Sequence, residues 1–358
     1  MTVPLIQGRE GVGATRRGWL GSVLGSLLAT LSLSAAAQDF ATPDVNDMMG
    51  RLERQGISRE WLEQTMASAQ FQPSVLEAMS GAAEHHMTWE RYRNIFLGEE
   101  RINEGAAFIE THLDAFERAE QRYGVPPEVI AAIIGVETRY GRITGDHRVL
   151  DSLSTLAFHH PRRGEFFEGE LEAFLDIAYE QGVDPGSLKG SYAGAMGYPQ
   201  FIPTSYQAYA VDFDGDGHRN LWTDPVDAIG SVGNYFAEHR WQPGGEVYWE
   251  AQGPATTPAA INFNRTQRPY VQVSALEAQG IRPQEQLAGD RKVIPLALDS
   301  EDGSVRYRLA DTNFYVITRY NHSHLYAMAV TELAEAIAQV RDLGKRQWWN
   351  ALELEATT

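Results

Sequence analysis

Apolar positions recur at helical spacing through most of the chain, and the period shifts towards two only between about residues 247 and 319. Ser58 precedes the pattern Trp61, Leu62, Thr65, Met66, and Ser74-Val75-Leu76-Glu77 has the spacing of a capping box, so both mark helix starts. Thr88 to Tyr123 predicts one or two long helices, with Trp89, Tyr92, Ile95, Phe96, Phe108, Ile109, Leu113 and Phe116 as core residues. Further helices are expected from Asp151 to Phe158 and from Glu165 to Glu180. Val247 to Trp249, Tyr270 to Val273, Val293 to Leu298, Val305 to Leu309 and Phe314 to Thr318 read as short strands between turn residues. Tyr326, Val330, Leu333, Ala334, Ile337 and Val340 then return to helical spacing. The expected class is α+β, mainly α. Residues 38–116 with 320–358 are expected to form one helical domain, 117–245 a core, and 246–319 a β-rich insertion.

One helix stands out, residues 125–141, VPPEVIAAIIGVETRYG. Pro126 and Pro127 suit a first turn, where a missing N–H has no partner, and Gly141 suits the left-handed position past the end. At 3.6 residues per turn, Glu137 shares a face with Ile130, Ile133, Ile134 and Tyr140. An ionised carboxylate in an apolar stripe loses its hydration, which favours the protonated form that a general acid requires. The competing reading is a core glutamate paired with Arg139 or Arg142. On the helix alone the two are evenly matched.

Gly190 to Pro203 is dense in glycine, proline and aromatic residues, as suits a loop that lets backbone approach a ligand and displays ring faces. It lacks the Gly-Lys-Ser/Thr ending of a phosphate loop, and a structured turn explains it equally. Asp212-Phe213-Asp214-Gly215-Asp216-Gly217-His218 opens like a calcium-binding EF-hand loop, with oxygen ligands at alternate positions and a glycine at the sharp turn. The twelfth position is Thr223, where a bidentate Glu is the rule, so Asp224 or Asp227 must complete the set. Calcium is favoured over an unmetallated Asp-Gly turn because three spaced carboxylates repel one another without a cation. A lone loop points to a structural ion rather than a sensor, and only 8 Met are present to line a sensor's groove.

Composition bounds these readings. The chain has 358 residues, is 43% hydrophobic and 22% charged, as for a globular protein of about two domains. A formal charge of −18 argues against nucleic acid or an anionic membrane as partner. The absence of cysteine excludes a thiol nucleophile, a thiolate zinc site and a lipidated cysteine. Arg16-Arg17, an apolar run from Trp19 to Leu33 and Ala35-Ala36-Ala37 read as a signal peptide over 1–37, cleaved before Gln38 and exported by the general or the twin-arginine route. The run is too short and too rich in Gly and Ser to span a bilayer securely. Its removal would leave the rest at −20, because Arg9, Arg16 and Arg17 outnumber Glu10 there.

Gly135-Val136-Glu137-Thr138-Arg139-Tyr140-Gly141, Pro161-Arg162-Arg163, Gly190 to Tyr206, Asp212 to Trp222 and Phe314 to Tyr326 together resemble the lytic murein transglycosylase B family, glycoside hydrolase family 103. The resemblance runs in order from about Tyr92 to Val330. It implies a lysozyme-like helical core with an inserted β domain, acting on the MurNAc–GlcNAc bond of peptidoglycan. It implies Glu137 as catalytic acid/base, and Ser191, Gln200, Phe201, Tyr92, Arg162, Arg163, Tyr235, Tyr320 and Asn321 as glycan contacts. It also implies a calcium site of Asp212, Asp214, Asp216, His218 through its carbonyl, and Asp227. The partners implied are peptidoglycan glycan strands and proteins of cell-wall synthesis, and the location a soluble periplasmic form.

A hydrolase normally adds a second carboxylate to activate water or attack the sugar. None is evident in the core motifs, since Asp146, Asp151 and Glu165 lie in polar stretches. A transglycosylase needs only one, because the ionised glutamate can take the proton of the sugar's own C6 hydroxyl as it attacks C1, leaving a 1,6-anhydro end. The N-acetyl group can assist by neighbouring attack. A lysozyme-type muramidase and a non-catalytic calcium-stabilised glycan-binding module are the alternatives.

Overall fold

The computed structural model describes residues 40–81 and 87–356, with side chains described up to 342, Gly81 excepted; the expected signal peptide lies outside this range. At its centre is the helix Pro127–Thr138, in which every residue but Glu128 is buried. A helix apolar all round needs partners on every side. It finds them in Glu99–Thr111, Leu113–Tyr123, Pro225–Glu238 and the long C-terminal helix His324–Ala356. Ile130, Ile133 and Ile134 are fully enclosed, which stabilises the fold by about 1.5–3 kcal/mol each. The helices Pro43–Arg54, Arg59–Ala67, Pro73–Gly81, Val149–His159 and Gly164–Glu180 continue the same core on one flank.

Ser58 caps the Arg59–Ala67 helix as its spacing predicts, accepting from the Trp61 N–H at 3.4 Å. The helix predicted to start at Ser74 instead begins at Pro73, whose fixed φ suits a first turn. Thr88 to Tyr123 breaks into three helices, Trp89–Phe96, Glu99–Thr111 and Leu113–Tyr123, interrupted at Leu97-Gly98 and at His112.

The strands are β1 His147–Arg148, β2 Lys189–Gly190, β3 Tyr248–Gln252, β4 Val271–Gln272, β5 Arg282–Pro283, β6 Lys292–Asp299 and β7 Val305–Ala310. The last five form one antiparallel sheet in the order β4-β6-β7-β3-β5, with Leu298 opposite Arg306 and Ile294 opposite Ala310 in its central hairpin. Alternation divides β6 between two cores: Val293 joins Trp249, Tyr307 and Leu309 in a small core of the sheet's own, while Ile294, Leu296 and Leu298 face the main helical core. Phe314 to Thr318, expected as a strand, lies in the helix Thr312–Tyr320. Its β-branched and aromatic residues suggested a strand, but the Asp311 side chain caps the Thr312 N–H at 2.8 Å and the apolar positions are buried against helices.

β1 pairs with β2, and the bridges Gly190–Met196 and Met196–Phe201 extend this ladder into the glycine-rich loop. The backbones approach closely there: a Cβ on Gly145, at φ +98°, would stand 2.1 Å from the Gly190 carbonyl oxygen. The loop is thereby held against the end of the central helix.

Candidate active site

Glu137 is the penultimate residue of the central helix and is 6% exposed. Its carboxylate Oε1 accepts from the Tyr326 hydroxyl at 2.6 Å, Tyr326 being buried on the C-terminal helix. Burial pushes the carboxyl up to about 7, against the opposing pull of the Tyr326 hydrogen bond, which favours the ionised form. Near neutral pH both protonation states are therefore populated. The negative charge in turn raises the neighbouring phenols of Tyr92, Tyr320 and Tyr326, and to a smaller extent Tyr235, in each case after burial as the larger cause. Tyr320 and Tyr326 stack at 6.5 Å and 11°, and Tyr320 and Tyr235 meet at 4.7 Å. Glu137 thus sits within an aromatic enclosure supplied by four different helices.

The paired-glutamate reading fails on geometry. Arg139 turns away to Glu104, with Nε–Oε2 at 2.9 Å and Nη2–Oε1 at 3.1 Å, and to Glu100 at 2.6 Å; Arg142 also bonds to Glu104. The other buried carboxylates each have donors of their own. Asp151 takes the Gln70 N–H and the Arg148 guanidinium, Glu170 the N–H and hydroxyl of Thr204, Asp227 the N–H groups of Phe213 and Asn220, and Glu332 the Arg93 guanidinium. Among the described residues Glu137 is the buried acid held by a tyrosine hydroxyl, with no backbone N–H or guanidinium bonded to it.

The helix stops at Thr138, two residues earlier than its sequence predicts. Arg139, Tyr140 and Gly141 follow with φ of 50°, 58° and 84°. Thr138 is the reason, since its hydroxyl donates to the Tyr198 carbonyl at 2.9 Å and accepts from the Gly141 N–H at 3.0 Å, closing the turn onto the glycine-rich loop. On that loop Ser191 Oγ accepts from the N–H groups of Ala193 and Ala195, at 3.3 and 3.0 Å, which leaves its proton to donate. Gln200, buried at φ 51°, donates its amide to the carbonyls of Thr144 and Gly197 at 3.1 and 2.9 Å, which leaves its oxygen as the acceptor it can offer. Phe201 is 2% exposed, and its ring supports those of Tyr209, Tyr235 and Tyr320. Tyr320 donates to the Pro199 carbonyl at 2.7 Å, tying the loop to the helix Thr312–Tyr320.

In the acidic loop, one oxygen each of Asp212, Asp214 and Asp227 lie within 4.8 Å of one another. Asp224 is engaged elsewhere, capping the helix Pro225–Glu238 through Val226 N at 2.7 Å. Asp227 therefore is the acid that faces the loop. The Asp216 carboxylate stands outside this trio and accepts from the His218 N–H at 2.8 Å. A pocket of three converging carboxylates, one of them 1% exposed, fits a divalent cation with oxygen ligands.

The sequence pattern of the transglycosylase SLT domain matches residues 41–335. The chain belongs to this family. It is 46% identical over 314 residues, 85% of each chain, to membrane-bound lytic murein transglycosylase B of Escherichia coli strain K12. The crystal structure of the Escherichia coli lytic transglycosylase Slt35 in complex with calcium superposes at a TM-score of 0.77, with 45% identity, over 84% of this chain and 94% of that one. SltB3 of Pseudomonas aeruginosa, solved in complex with NAG-anhNAM-pentapeptide, superposes at 0.72 with 31% identity, over 82% and 78%. These relatives make the chain an enzyme of the lytic transglycosylase class with a lysozyme-like fold.

Within this transglycosylase, Tyr92, Tyr235 and Tyr320 gather with Phe201 and Gln200 around the end of the Glu137 helix, and Asn321 follows directly on Tyr320. Arg162 and Arg163 lie in the turn between the helices Val149–His159 and Gly164–Glu180: their N–H groups bond His160 Nδ1 at 3.3 and 3.1 Å, and the Arg163 guanidinium lies 4.5 Å over the Phe166 ring. Sequence reasoning had Tyr326 only as a core position. Its signal was a tyrosine in an otherwise aliphatic helical stripe, since a buried tyrosine needs a partner for its hydroxyl. No helix among the described residues is long and apolar enough to cross a membrane.

Proposed function

We propose that this transglycosylase cleaves the β-1,4 bond between MurNAc and GlcNAc without water, with Glu137 acting first as acid and then as base. The carrying observation is that Glu137 is buried, with its pKa raised to about 7, and held by a neutral hydroxyl. In the first step the protonated carboxyl gives its proton to the glycosidic oxygen while the ring gains oxocarbenium character. In the second the carboxylate takes the proton of the C6 hydroxyl as that oxygen bonds to C1, which yields the 1,6-anhydro end. One carboxylate, titrating near neutrality, suits both steps. The other buried acids are engaged by donors, which favours this route over a muramidase needing a second carboxylate.

Ser191 through its proton, Gln200 through its oxygen, and Tyr92, Tyr235, Tyr320 and Asn321 are read as the glycan-binding wall. Phe201 acts from behind them, through the rings it supports. Arg162 and Arg163 are read as a grip on the lactyl carboxylate or the stem peptide. Asp212, Asp214, Asp216, the His218 carbonyl and Asp227 are read as a structural calcium site. The substrate, peptidoglycan strands, implies a periplasmic location, with the leader over 1–37 as the means of export.

Glu137→Gln is the test. It is expected to abolish release of soluble muropeptides from purified peptidoglycan while leaving the circular dichroism unchanged. Turnover retained by the variant would refute the role of Glu137.

A further inference from the structure

The carboxyl of Glu137 is aimed by a turn that is strained and needs outside support. Immediately after Thr138 come three left-handed residues, of which Arg139 and Tyr140 are not glycine. Such a conformation persists only where the surroundings over-determine it.

Besides the Thr138 hydroxyl and the glycine-rich loop, the helix Glu99–Thr111 supplies that support. Glu104 receives Arg139 in a two-bond fork, at 2.9 and 3.1 Å, and takes Arg142 on Oε1 as well. Three residues away, the Arg101 carbonyl accepts from the Tyr140 hydroxyl at 2.9 Å. The Tyr140 ring lies so close to two glycines that a Cβ on Gly105 would stand 2.4 Å from its hydroxyl, and one on Gly135 would stand 2.6 Å from its ring. The turn is therefore gripped on both sides of Tyr140, by a salt bridge to Arg139 and another to Arg142. Glu104 is 15% exposed, and its hydrogen bonds with Arg139 hold its carboxyl below the usual range, so it stays charged across neutral pH.

From this geometry we infer that Glu104 is a positioning residue for Glu137, holding the Arg139–Arg142 turn so that the catalytic carboxyl stays enclosed and aligned with Tyr326. This rests on the reading of Glu137 as the acid. Without Glu104, Arg139 and Arg142 lose their shared anchor and the turn relaxes towards ordinary φ. Water then reaches Glu137, and its affinity for the proton falls. The groups facing Glu137 from the other helices, Tyr92, Tyr235, Tyr320 and Tyr326, are phenols neutral over the working range, so they do not titrate with it. The charged groups around Glu104 are Arg101, Arg139, Arg142 and Glu100.

The test compares Glu104→Ala and Glu104→Asp with wild type on purified peptidoglycan, as kcat and KM across pH, at a temperature where unfolding curves show every protein folded. A misplaced acid lowers kcat about tenfold to a hundredfold, with KM near wild type. The alkaline limb of kcat/KM is expected to move to lower pH in Glu104→Ala and partway back in Glu104→Asp. The protonated-carboxyl infrared band that disappears in Glu137→Gln gives a second readout without substrate, and its midpoint is expected to move down likewise. If Glu104→Ala keeps the wild-type limb and band midpoint, whether or not it is less stable, the positioning role is overturned. If Glu137→Gln itself turns over peptidoglycan, the reading of the acid fails instead, and the infrared midpoint still reports on the turn.

Discussion

Tyr326→Phe removes one hydroxyl and leaves the packed ring in place. In the folded protein that hydroxyl donates to Glu137 Oε1 at 2.6 Å, with both residues buried. A hydrogen bond to a charged group contributes about 1.5–3 kcal/mol, and one pKa unit corresponds to about 1.4 kcal/mol. The bond favours the ionised carboxylate, so its loss raises the Glu137 pKa further, by about one to two units. Burial, the larger cause of the present value of about 7, is unchanged by the substitution. The alkaline limb of kcat/KM reports loss of the proton from the acid in the free enzyme, and it should move to higher pH by that amount. The plateau rate should fall as well, because the carboxyl loses the partner that orients it. Rates of muropeptide release between about pH 5 and pH 10, with unfolding curves at each pH, measure both effects. An alkaline limb that stays in place, or moves down, in a normally folded Tyr326→Phe protein would refute the pairing of this hydroxyl with the catalytic acid.

Three other outcomes are expected. A carboxyl raised from 4.5 to about 7 on folding contributes stability below its unfolded value that is lost as pH climbs through the folded one. Glu137→Gln should therefore be more stable than wild type at pH 8, by up to about 3 kcal/mol, with little difference near pH 4.5; equal Tm shifts at both pH values would contradict the burial argument. Chelation should lower Tm if calcium occupies the Asp212, Asp214 and Asp227 trio, and Asp227→Asn should abolish that sensitivity. Gln200→Ala should slow turnover and cost about 1–3 kcal/mol of stability, because its amide holds two carbonyls from a left-handed position; full activity in this variant would remove it from the glycan wall.

The helical frame was legible because its apolar positions recur at a spacing that burial then used, and Glu137 stood out because a carboxylate in that stripe conflicts with its surroundings. What hid from sequence was whatever depends on contacts distant along the chain. Tyr326 is 189 residues from Glu137, and its local pattern says that a buried hydroxyl there needs a partner but not which residue that partner is. Phe314 to Thr318 misled for the reason that made it useful to the core: bulky β-branched side chains suit a strand, yet here they fill a helix–helix contact beneath the Asp311 cap. The choice between Asp224 and Asp227 turned on which of them caps a helix, and a spacing rule does not carry that information. Arg139 and Arg142 looked like partners for Glu137 because they are near it in sequence, but the left-handed turn at Arg139 sends both to Glu104.

The central claim is that the sugar's own hydroxyl, and not water, closes the reaction. Digestion of purified peptidoglycan in oxygen-18 water, followed by mass spectrometry of the released muropeptides, tests it directly. Attack by the C6 hydroxyl gives products one water lighter than hydrolysis would give, carrying no heavy oxygen at the MurNAc end. Reducing-end products labelled with oxygen-18 would mean that water attacks C1, and the single-carboxylate mechanism would be wrong.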